Sequence, residues 1–340
     1  MPGTPTGLPV VVIGGYLGAG KTTLVNHLLR HAQGRRLAVL VNDFGDIAID
    51  ADLIESHDGK VLNLAGGCVC CSFGSDLVGA LMAMPGWAAP PDHCVIETSG
   101  VALPGAVART LTLVQGVRLD GVVVLADAET VRARAADRYV GDTVRGQLRD
   151  ADLVLLNKVD LAGGDEVAAL HAWLGEAAPR APVVDAVDAV VPVEVVLELG
   201  ADAVRTRGTG ELFAGDAASR RLARRGRASA GDVFVARSFR LDAPVDPSAL
   251  ARALAASDAG IVRAKGIVAD ADGRWHVLQV VGRRHTVTAF EPRPEAAAGT
   301  RGARSDRCGS LVCIATRRSF DERRLLDLLI AQGIDAGRMG

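Results

Sequence analysis

The chain has 340 residues, of which 49% are apolar and 23% charged, and its formal net charge is −2. This length suits two globular domains, and the small net charge gives no reason to expect nucleic acid as a partner. No apolar run approaches the roughly 20 residues of a membrane-spanning helix, and the N-terminus lacks a basic segment before an apolar stretch. We therefore expect a cytoplasmic protein without a membrane partner.

The first half of the chain alternates short apolar runs with longer amphipathic stretches. The apolar runs are rich in Val, Ile and Leu with little polar alternation, which predicts strands buried on both faces of a mostly parallel sheet. These strands are predicted at Val10–Ile13, Leu37–Asn42, Cys94–Glu97, Val122–Ala126, Leu153–Asn157 and Val183–Asp185. The intervening helices are predicted at Thr22–His31, Leu77–Met84 and Glu166–Leu174. This pattern is typical of an α/β doubly wound fold.

A stretch rich in Arg, Gly, Ala and Ser at 201–232 separates this half from the rest of the chain. We interpret it as a flexible linker between a domain at 1–200 and a smaller α+β domain at 233–332. The second domain has predicted strands at Val233–Leu241, Ile261–Ala269, Trp275–Val281 and Leu311–Ala315, and predicted helices at Pro247–Ser257 and Asp321–Ile330. Contact of the basic run in the linker with RNA or an acidic partner is the minor interpretation.

A phosphate-binding loop is predicted at Gly15-Tyr16-Leu17-Gly18-Ala19-Gly20-Lys21-Thr22. The segment matches the pattern G-x-x-x-x-G-K-[ST] and lies between a predicted strand and a predicted helix, as this loop requires. The backbone amides of such a loop and the N-terminus of the helix hold phosphate oxygens. Lys21 is expected to contact the β- and γ-phosphates during catalysis, and Thr22 to bind Mg²⁺. The expected nucleotide-binding residues here are Gly15, Gly18, Ala19, Gly20, Lys21, Thr22 and Thr23.

A base-recognition segment is predicted at Asn157-Lys158-Val159-Asp160, directly after a buried strand. The carboxylate of Asp160 can accept hydrogen bonds from both N1–H and N2–H of guanine, and adenine offers no such pair of donors. Lys158 would lie against the base or the phosphate loop. The segment therefore predicts GTP rather than ATP as the ligand, and a surface turn is the alternative.

Two further polar segments follow predicted strands, at Asn42-Asp43-Phe44-Gly45-Asp46 and at Glu97-Thr98-Ser99-Gly100. Ligands of a parallel sheet bind at the carboxyl ends of its strands, so both segments should meet the phosphate loop. Carboxylates here can reach Mg²⁺ or the attacking water, and Gly100 can face the terminal phosphate. The candidate catalytic carboxylates are Asp43, Asp46 and Glu97. A helix cap or a turn is the alternative role of each acid.

Three thiols lie within four residues in Cys68-Val69-Cys70-Cys71. They cannot all be packing residues because alternate side chains diverge, and a disulfide between Cys70 and Cys71 would be strained in a reducing compartment. Soft thiolates suit Zn²⁺ or Cu(I), and Asp43, a partner or water can complete the ligand set. An incomplete set of protein ligands suits transfer of the metal. Redox sensing and an inert cluster are the alternatives.

The remaining cysteines, Cys94, Cys308 and Cys313, are predicted to be packing residues. His27 and His31 are four residues apart on the helix that follows the phosphate loop. This spacing can bind a metal because the two side chains lie on the same face. We nevertheless expect a solvent-facing pair.

In these motifs and their order the chain resembles the CobW-like family of P-loop GTPases, relatives of the GTPases that insert nickel into urease and hydrogenase. The similarity covers the phosphate loop, a first switch at 42–46, a C-x-C-C motif at 68–71, a second switch at 97–100, a base segment at Gln147–Leu161, and the region from Ala264-Lys265-Gly266 to the strands around Trp275. The family usually carries Glu in the first switch, where this chain has Asp43 and Asp46. Many members are also His-rich in or before the C-terminal domain, where this chain is Arg-rich.

The resemblance implies a GTP-hydrolysing metallochaperone that delivers Zn²⁺ or Co²⁺ to a client metalloprotein or a chelatase, with homo-oligomerisation left open. We hypothesise that GTP and Mg²⁺ order both switches and the thiol segment, and that hydrolysis then changes metal affinity. Three alternatives remain. They are an ATP-using P-loop kinase or transferase, a module that binds GTP with negligible turnover, and a GTP-binding redox sensor.

Overall fold

The computed structural model of the chain describes residues 7–32, 34–41, 60–63, 73–197, 234–290 and 308–334. The chain separates into two compact units, of which the first is Gly7–Leu197 and the second contains the ranges 234–290 and 308–334. The predicted linker at 201–232 lies outside the described residues, and the domain limits stay predictions. In the part of the chain that is described, no helix is long and apolar enough to cross a bilayer.

A seven-stranded parallel sheet forms the centre of the first unit. Its strands are β1 (Leu8–Gly15), β2 (Leu37–Val41), β3 (Lys60–Asn63), β4 (His93–Glu97), β5 (Val117–Asp127), β6 (Leu153–Asn157) and β7 (Val183–Asp185). Their spatial order is β3-β2-β4-β1-β5-β6-β7, and neighbouring strands are parallel throughout. β2, β4 and β6 are buried along their whole length, as expected of strands covered on both faces.

In the described residues of this unit, helices lie between most of the strands and pack on the sheet. They are α1 (Lys21–Arg30), α2 (Phe73–Ala83), α3 (Pro104–Leu111), α4 (Val131–Ala136), α5 (Gly141–Asp150), α6 (Gly164–Ala177) and the short α7 (Val193–Val196). Single 3-10 turns occur at Met84–Gly86 and Val159–Leu161. With only 4% aromatic residues in the chain, aliphatic side chains such as Val12, Ile96 and Leu148 supply the core.

The predicted α/β doubly wound fold is confirmed, with differences in its elements. β5 begins at Val117, whereas the sequence predicted Val122. The prediction missed the first five residues because Arg118 and Asp120 interrupt the apolar pattern. The register with β1 also shifts beside Asp120. β3 and the helices α3, α4, α5 and α7 were not predicted. α5 contains Gly141 and Gly146, and glycine lowers the helical propensity of a segment.

The second unit is built on a five-stranded antiparallel sheet. Its elements are β8 (Phe234–Leu241), α8 (Pro247–Ala256), β9 (Ile261–Ala269), β10 (Trp275–Val281), β11 (Arg284–Phe290), β12 (Gly309–Thr316) and α9 (Glu322–Ala331). The strands lie in the order β11-β10-β9-β12-β8. Leucines of α8 and α9 form one core with apolar residues of the sheet. The predicted smaller α+β domain is confirmed, and the edge strand β11 was missed because polar residues alternate along it.

The carboxyl ends of the parallel strands meet at one edge of the first unit. The last residue of β4, Glu97, pairs in register with Ile13 of β1 and Val41 of β2. Asp127 and Asn157, the last residues of β5 and β6, pair with each other. The strand order reverses at β1, with β2 and β4 on one side and β5 and β6 on the other, and an open α/β sheet binds its ligand at the carboxyl ends of the strands at such a point.

Candidate nucleotide site

The loop between β1 and α1 has the backbone of a phosphate-binding loop. Gly15, Gly18 and Gly20 have φ values of 132°, 78° and 103°, in the left-handed region that favours glycine. Gly15 also packs against the main chain of β5, where a β-carbon would overlap the carbonyl oxygen of Leu125. No other residue could therefore take this position without moving β5.

Lys21 and Thr22 open α1 directly after this loop. The Lys21 side chain is 7% exposed, and its Nζ atom lies 3.5 Å from the carbonyl oxygen of Tyr16, so the ammonium group folds back over the loop. The Thr22 hydroxyl donates a hydrogen bond of 2.9 Å to Oε1 of Glu97. Thr23, also predicted to bind nucleotide, is exposed on the first turn of the helix.

Thr22 and Glu97 form an oxygen-rich pair beside the loop. Glu97 is 1% exposed, so its carboxylate is held in the interior at the end of β4. A hydroxyl and a carboxylate are hard oxygen ligands of the kind that Mg²⁺ prefers, and Mg²⁺ needs few protein ligands when phosphate oxygens supply the others. The donor set therefore fits the predicted magnesium site.

The segment after Glu97 lies against the phosphate loop. The backbone amide and the hydroxyl of Thr98 both donate to the carbonyl oxygen of Ile13, at 2.9 Å and 3.1 Å. Gly100 meets Leu17 so closely that a β-carbon would lie 2.5 Å from the Leu17 side chain and 2.9 Å from its backbone nitrogen. The predicted second switch is thus in direct contact with the predicted loop.

The predicted base segment is joined to the phosphate loop through Asn157. This side chain is 2% exposed, and its Nδ2 atom donates to the carbonyl oxygen of Ala19 at 2.9 Å. Its Oδ1 atom accepts from the backbone amide of Ala189 at 2.8 Å. Asp160 is exposed on the turn Val159–Leu161 that follows. The structure therefore brings the two predicted motifs together at one edge.

Two contributors to this site were missed from the sequence. Asp127 ends β5 and accepts a 2.6 Å hydrogen bond from Nζ of Lys158, whose backbone is left-handed with φ 62°. The loop after β7 reaches Asn157 through Ala189, and Asp188 and Ala189 have φ values of 53° and 54°. An acid at the end of an apolar strand was a signal for Asp127, whereas no motif marked the loop.

The expected solvent-facing histidine pair is wrong for His27, whereas His31 is partly exposed. His27 is 6% exposed, and its Nε2 atom donates to the carbonyl oxygen of Val191 at 2.6 Å. The Nδ1 atom of His31 donates to the carbonyl oxygen of His27 at 2.8 Å. A helical spacing of four residues leaves both rings on one face but does not say whether that face meets solvent or, as here, the segment that follows the Ala189 loop.

The thiol motif and the first switch lie outside the described residues. These include the predicted site residues Asp43, Asp46, Cys68, Cys70 and Cys71. Within the described ranges, no group of three His, Cys, Asp or Glu side chains could hold a metal ion. Cys94 and Cys313 are buried as predicted, and Cys308 is partly exposed.

Comparison with protein families assigns both units. The model of the CobW/HypB/UreG nucleotide-binding domain matches residues 9–185, and the model of the cobalamin synthesis protein CobW C-terminal domain matches residues 234–333. The chain belongs to the CobW family. This assignment confirms the resemblance seen in the motifs.

Curated relatives carry the name zinc chaperone. The chain is 31% identical over 222 residues to zinc chaperone CobW of Sinorhizobium sp, covering 57% of this chain and 63% of that protein. It is 36% identical over 185 residues to zinc chaperone YjiA of Escherichia coli strain K12, covering 52% and 56%. The chain thus spans less than two thirds of the length of either relative.

A crystal structure of Zn(II)-bound YjiA GTPase from E. coli aligns with 96% of this chain and 99% of that chain, at 22% identity and a TM-score of 0.42.

Proposed function

We propose that this CobW-family protein binds and hydrolyses GTP with Mg²⁺ and uses the cycle to carry zinc to a client protein. The observation that carries the proposal is Asn157, which donates to Ala19 of the phosphate loop and ends the strand that leads into Lys158 and Asp160. A loop that binds phosphate and a segment that recognises guanine are thereby held at a fixed separation, as one nucleotide requires.

Guanine selectivity is assigned to Asp160. Its carboxylate can accept two hydrogen bonds from guanine, and such charge-assisted bonds are the stronger kind. Lys158 is oriented by Asp127, 2.6 Å from its Nζ atom, so the stem of the lysine is available to cover one face of the base.

Phosphate transfer to water is assigned to the residues of the loop and the second switch. Lys21 would neutralise charge that develops on the transferred phosphoryl group, and the loop amides would hold its oxygens. Thr22 and Glu97 would hold Mg²⁺, which when bound neutralises charge on the β- and γ-phosphates. Asp43 and Asp46 of the first switch are assigned, from their sequence position alone, to orienting the attacking water.

The cargo assignment rests on the thiols and on the relatives. The thiolates of Cys68, Cys70 and Cys71 would supply soft donors suited to Zn²⁺, with the carboxylate of Asp43 as a candidate fourth ligand and Co²⁺ as the second choice of metal. The curated relatives named above are zinc chaperones. The chain leaves β3 at Asn63, five positions before Cys68, on the sheet edge that carries Glu97. The client, a metalloprotein or a chelatase, and a homo-oligomeric state stay proposals.

A nucleotide competition experiment tests the first half of the proposal. Purified protein is titrated with a fluorescent guanosine diphosphate in the presence of Mg²⁺, followed by competition with GTP and ATP and a phosphate-release assay. Asp160→Asn should weaken GTP binding about 100-fold, because the amide keeps only one acceptor oxygen for the two guanine donors, places an N–H donor against the other, and carries no charge. Asp165→Asn, an exposed acid on α6, is the matched control. Equal competition by ATP would instead support a kinase or transferase.

A metal analysis tests the second half. Zinc content is measured after loading the protein with a GTP analogue or with GDP, for the parent chain and for a Cys68→Ser/Cys70→Ser/Cys71→Ser variant. We expect the triple variant to lose the metal, and the two nucleotide states of the parent to differ in zinc affinity. Cys94→Ala removes a buried thiol of β4 and should leave the zinc content unchanged. Equal zinc affinity in both states would reject the coupling.

A further inference from the structure

Gln147 on helix α5 forms hydrogen bonds to the segment that follows Glu97. This side chain is 1% exposed, and its Nε2 atom donates to two carbonyl oxygens, that of Gly100 at 3.0 Å and that of Ala102 at 2.8 Å. Both hydrogens of one amide group are therefore used on two carbonyls of the same short segment. Such a pair of bonds defines the position of the segment and not only its distance from the helix.

Two further contacts hold the same segment to α5. The carboxylate of Asp150 accepts a 2.9 Å hydrogen bond from the backbone amide of Gly105, in the first turn of α3. Gly146 leaves space for Leu103, whose Cδ2 atom would lie 2.8 Å from a β-carbon at position 146. Gln147 is thus the middle contact of a row that runs along α5 from Gly146 to Asp150.

The opposite side of the segment meets the phosphate loop. Gly100 lies between Gln147, which binds its carbonyl oxygen, and Leu17, which leaves no room for a side chain at position 100. Any shift of this carbonyl would therefore either break a hydrogen bond to Gln147 or press the segment into Leu17. The contact with Leu17 prevents the segment from moving closer to the phosphate loop. It does not prevent the segment from moving away from the loop, and the hydrogen bonds from Gln147 can do so.

The chemistry of the side chain explains why a glutamine is needed here. A neutral primary amide supplies two N–H donors, whereas an apolar residue of the same size would leave two buried carbonyls without these donors. A charged donor in the same place would carry a desolvation penalty unless it were paired.

We propose that Gln147 is a positioning residue for GTP hydrolysis, which holds the Glu97–Gly100 segment against the phosphate loop. The inference rests on the proposed function, because the segment matters for turnover only if GTP is hydrolysed at this edge. Gln147 contacts no reacting atom and acts through Gly100. Loss of its two hydrogen bonds should lower kcat more than it changes KM, since the bound nucleotide would still be held by the phosphate loop and by Asp160.

Hydrogen–deuterium exchange tests the positioning without any nucleotide. In Gln147→Met the backbone amides of Thr98 and Ala102, which bond to Ile13 and Ser99, should exchange about tenfold faster, because the segment opens more often when two bonds are removed. Gln279→Met, the same substitution at a buried glutamine of the second unit, should leave these amides unchanged. An unchanged exchange rate in Gln147→Met would overturn the proposal whether or not the protein hydrolyses GTP.

Steady-state kinetics test the consequence. We expect kcat per folded molecule to fall about tenfold in Gln147→Met, with KM within about threefold of the parent value. Gly100→Ala displaces the same segment from its other side, through Leu17, and should reproduce the lower kcat even if Gln147→Met does not fold. Faster exchange with an unchanged kcat would show that Gln147 serves stability only. A parent protein that does not hydrolyse GTP would instead reject the proposed function, and the exchange result would stand by itself.

Discussion

At the scale of single residues, the candidate site depends on buried polar side chains that form hydrogen bonds to distant parts of the chain. Asn157 is the clearest case, because it donates to Ala19 and accepts from Ala189 while only 2% exposed. Removing one member of a buried hydrogen bond destabilises the folded state, because the remaining donor or acceptor is left in the interior without a partner. Asn157 therefore supports the phosphate loop and the Ala189 loop together.

Replacing Asn157 by Ala should lower the free energy of unfolding by about 2–4 kcal/mol, because the Ala19 carbonyl and the Ala189 amide lose their partner in the interior. Urea denaturation of the full chain measures the change. Asp165→Ala, at an exposed position, should alter stability by less than about 0.5 kcal/mol. A similar decrease in the free energy of unfolding in both variants would contradict the stabilising role of the two Asn157 hydrogen bonds.

Burial also controls the chemistry of the cysteines outside the thiol motif. Loss of solvation raises the pKa of the Cys94 thiol, and it raises the pKa of Cys313 to about 12. Both thiols should remain protonated at neutral and mildly alkaline pH, and a protonated thiol is neither a nucleophile nor a metal ligand.

A thiol-reactive chromophore added to native protein at about pH 8 should therefore leave Cys94 and Cys313 unmodified, whereas denatured protein should react at both. Mass spectrometry of the modified peptides measures each site separately. Rapid modification of either residue in the native protein would mean that its strand opens far more often than a buried position allows.

At the scale of elements, α9 is tied to the sheet of its unit by a surface ion pair. Arg237 on β8 donates to Glu322 in the first turn of α9, at 2.6 Å from its Nε atom. The hydrogen bond from Arg237, followed by its positive charge, lowers the pKa of Glu322 below the ordinary value. Asp321 caps the same helix by accepting from the backbone amide of Arg324.

The lowered pKa of Glu322 makes this contribution depend on pH. The ion pair stabilises the folded state above the unfolded pKa of glutamate, and the contribution is lost as pH falls through the lower folded value. Because Glu322 is 40% exposed, we expect Glu322→Gln to reduce stability by only about 0.5 kcal/mol at about pH 7.

Thermal unfolding at about pH 7 and at about pH 3 measures the effect, and the difference between parent and Glu322→Gln should be smaller at the lower pH. Arg324→Gln, which loses a more exposed ion pair with Asp321, is the control for a general charge effect. A difference that grew toward low pH would have the wrong sign for a carboxyl group with a lowered pKa.

At the scale of the whole molecule, each unit has its own apolar core. In the first unit aliphatic side chains of the parallel sheet pack with α2, α3, α5 and α6, and in the second unit α8 and α9 pack with the antiparallel sheet. A unit with its own core can unfold without the other. The described residues of the candidate nucleotide site belong to Gly7–Leu197.

Leu329→Ala on α9 should therefore destabilise the second unit by about 2–5 kcal/mol through the cavity that it leaves, yet preserve guanine nucleotide affinity. Denaturation followed by circular dichroism and a nucleotide-binding titration measure the two effects. Leu24→Ala on α1, buried to the same extent, should reduce both stability and nucleotide binding. Equal loss of nucleotide affinity in the two variants would contradict the independence of the units.

The fully buried strands and the candidate nucleotide motifs could be predicted because each depends on the types of a few consecutive residues. The phosphate loop needs glycines at particular positions of one turn, and the strands of a parallel sheet are apolar throughout because both faces are covered. The failures lie where the local pattern is mixed. α5 carries two glycines, and the first half of β5 carries Arg118 and Asp120, so neither has a clear period.

The sequence by itself therefore predicted the α/β class and the smaller α+β part, which the structure confirms, and it predicted phosphate, base and second-switch segments whose roles stay predictions. Only the tertiary structure decided which of these segments touch. Asn157 meets Ala19 across 138 positions of the chain, and Gln147 meets Gly100 across 47. His27 is likewise buried because it meets Val191, a residue distant in the chain. Local spacing specifies the backbone conformation and the face of a residue, whereas its partner depends on how distant segments pack, and that is settled by the folding of the whole unit.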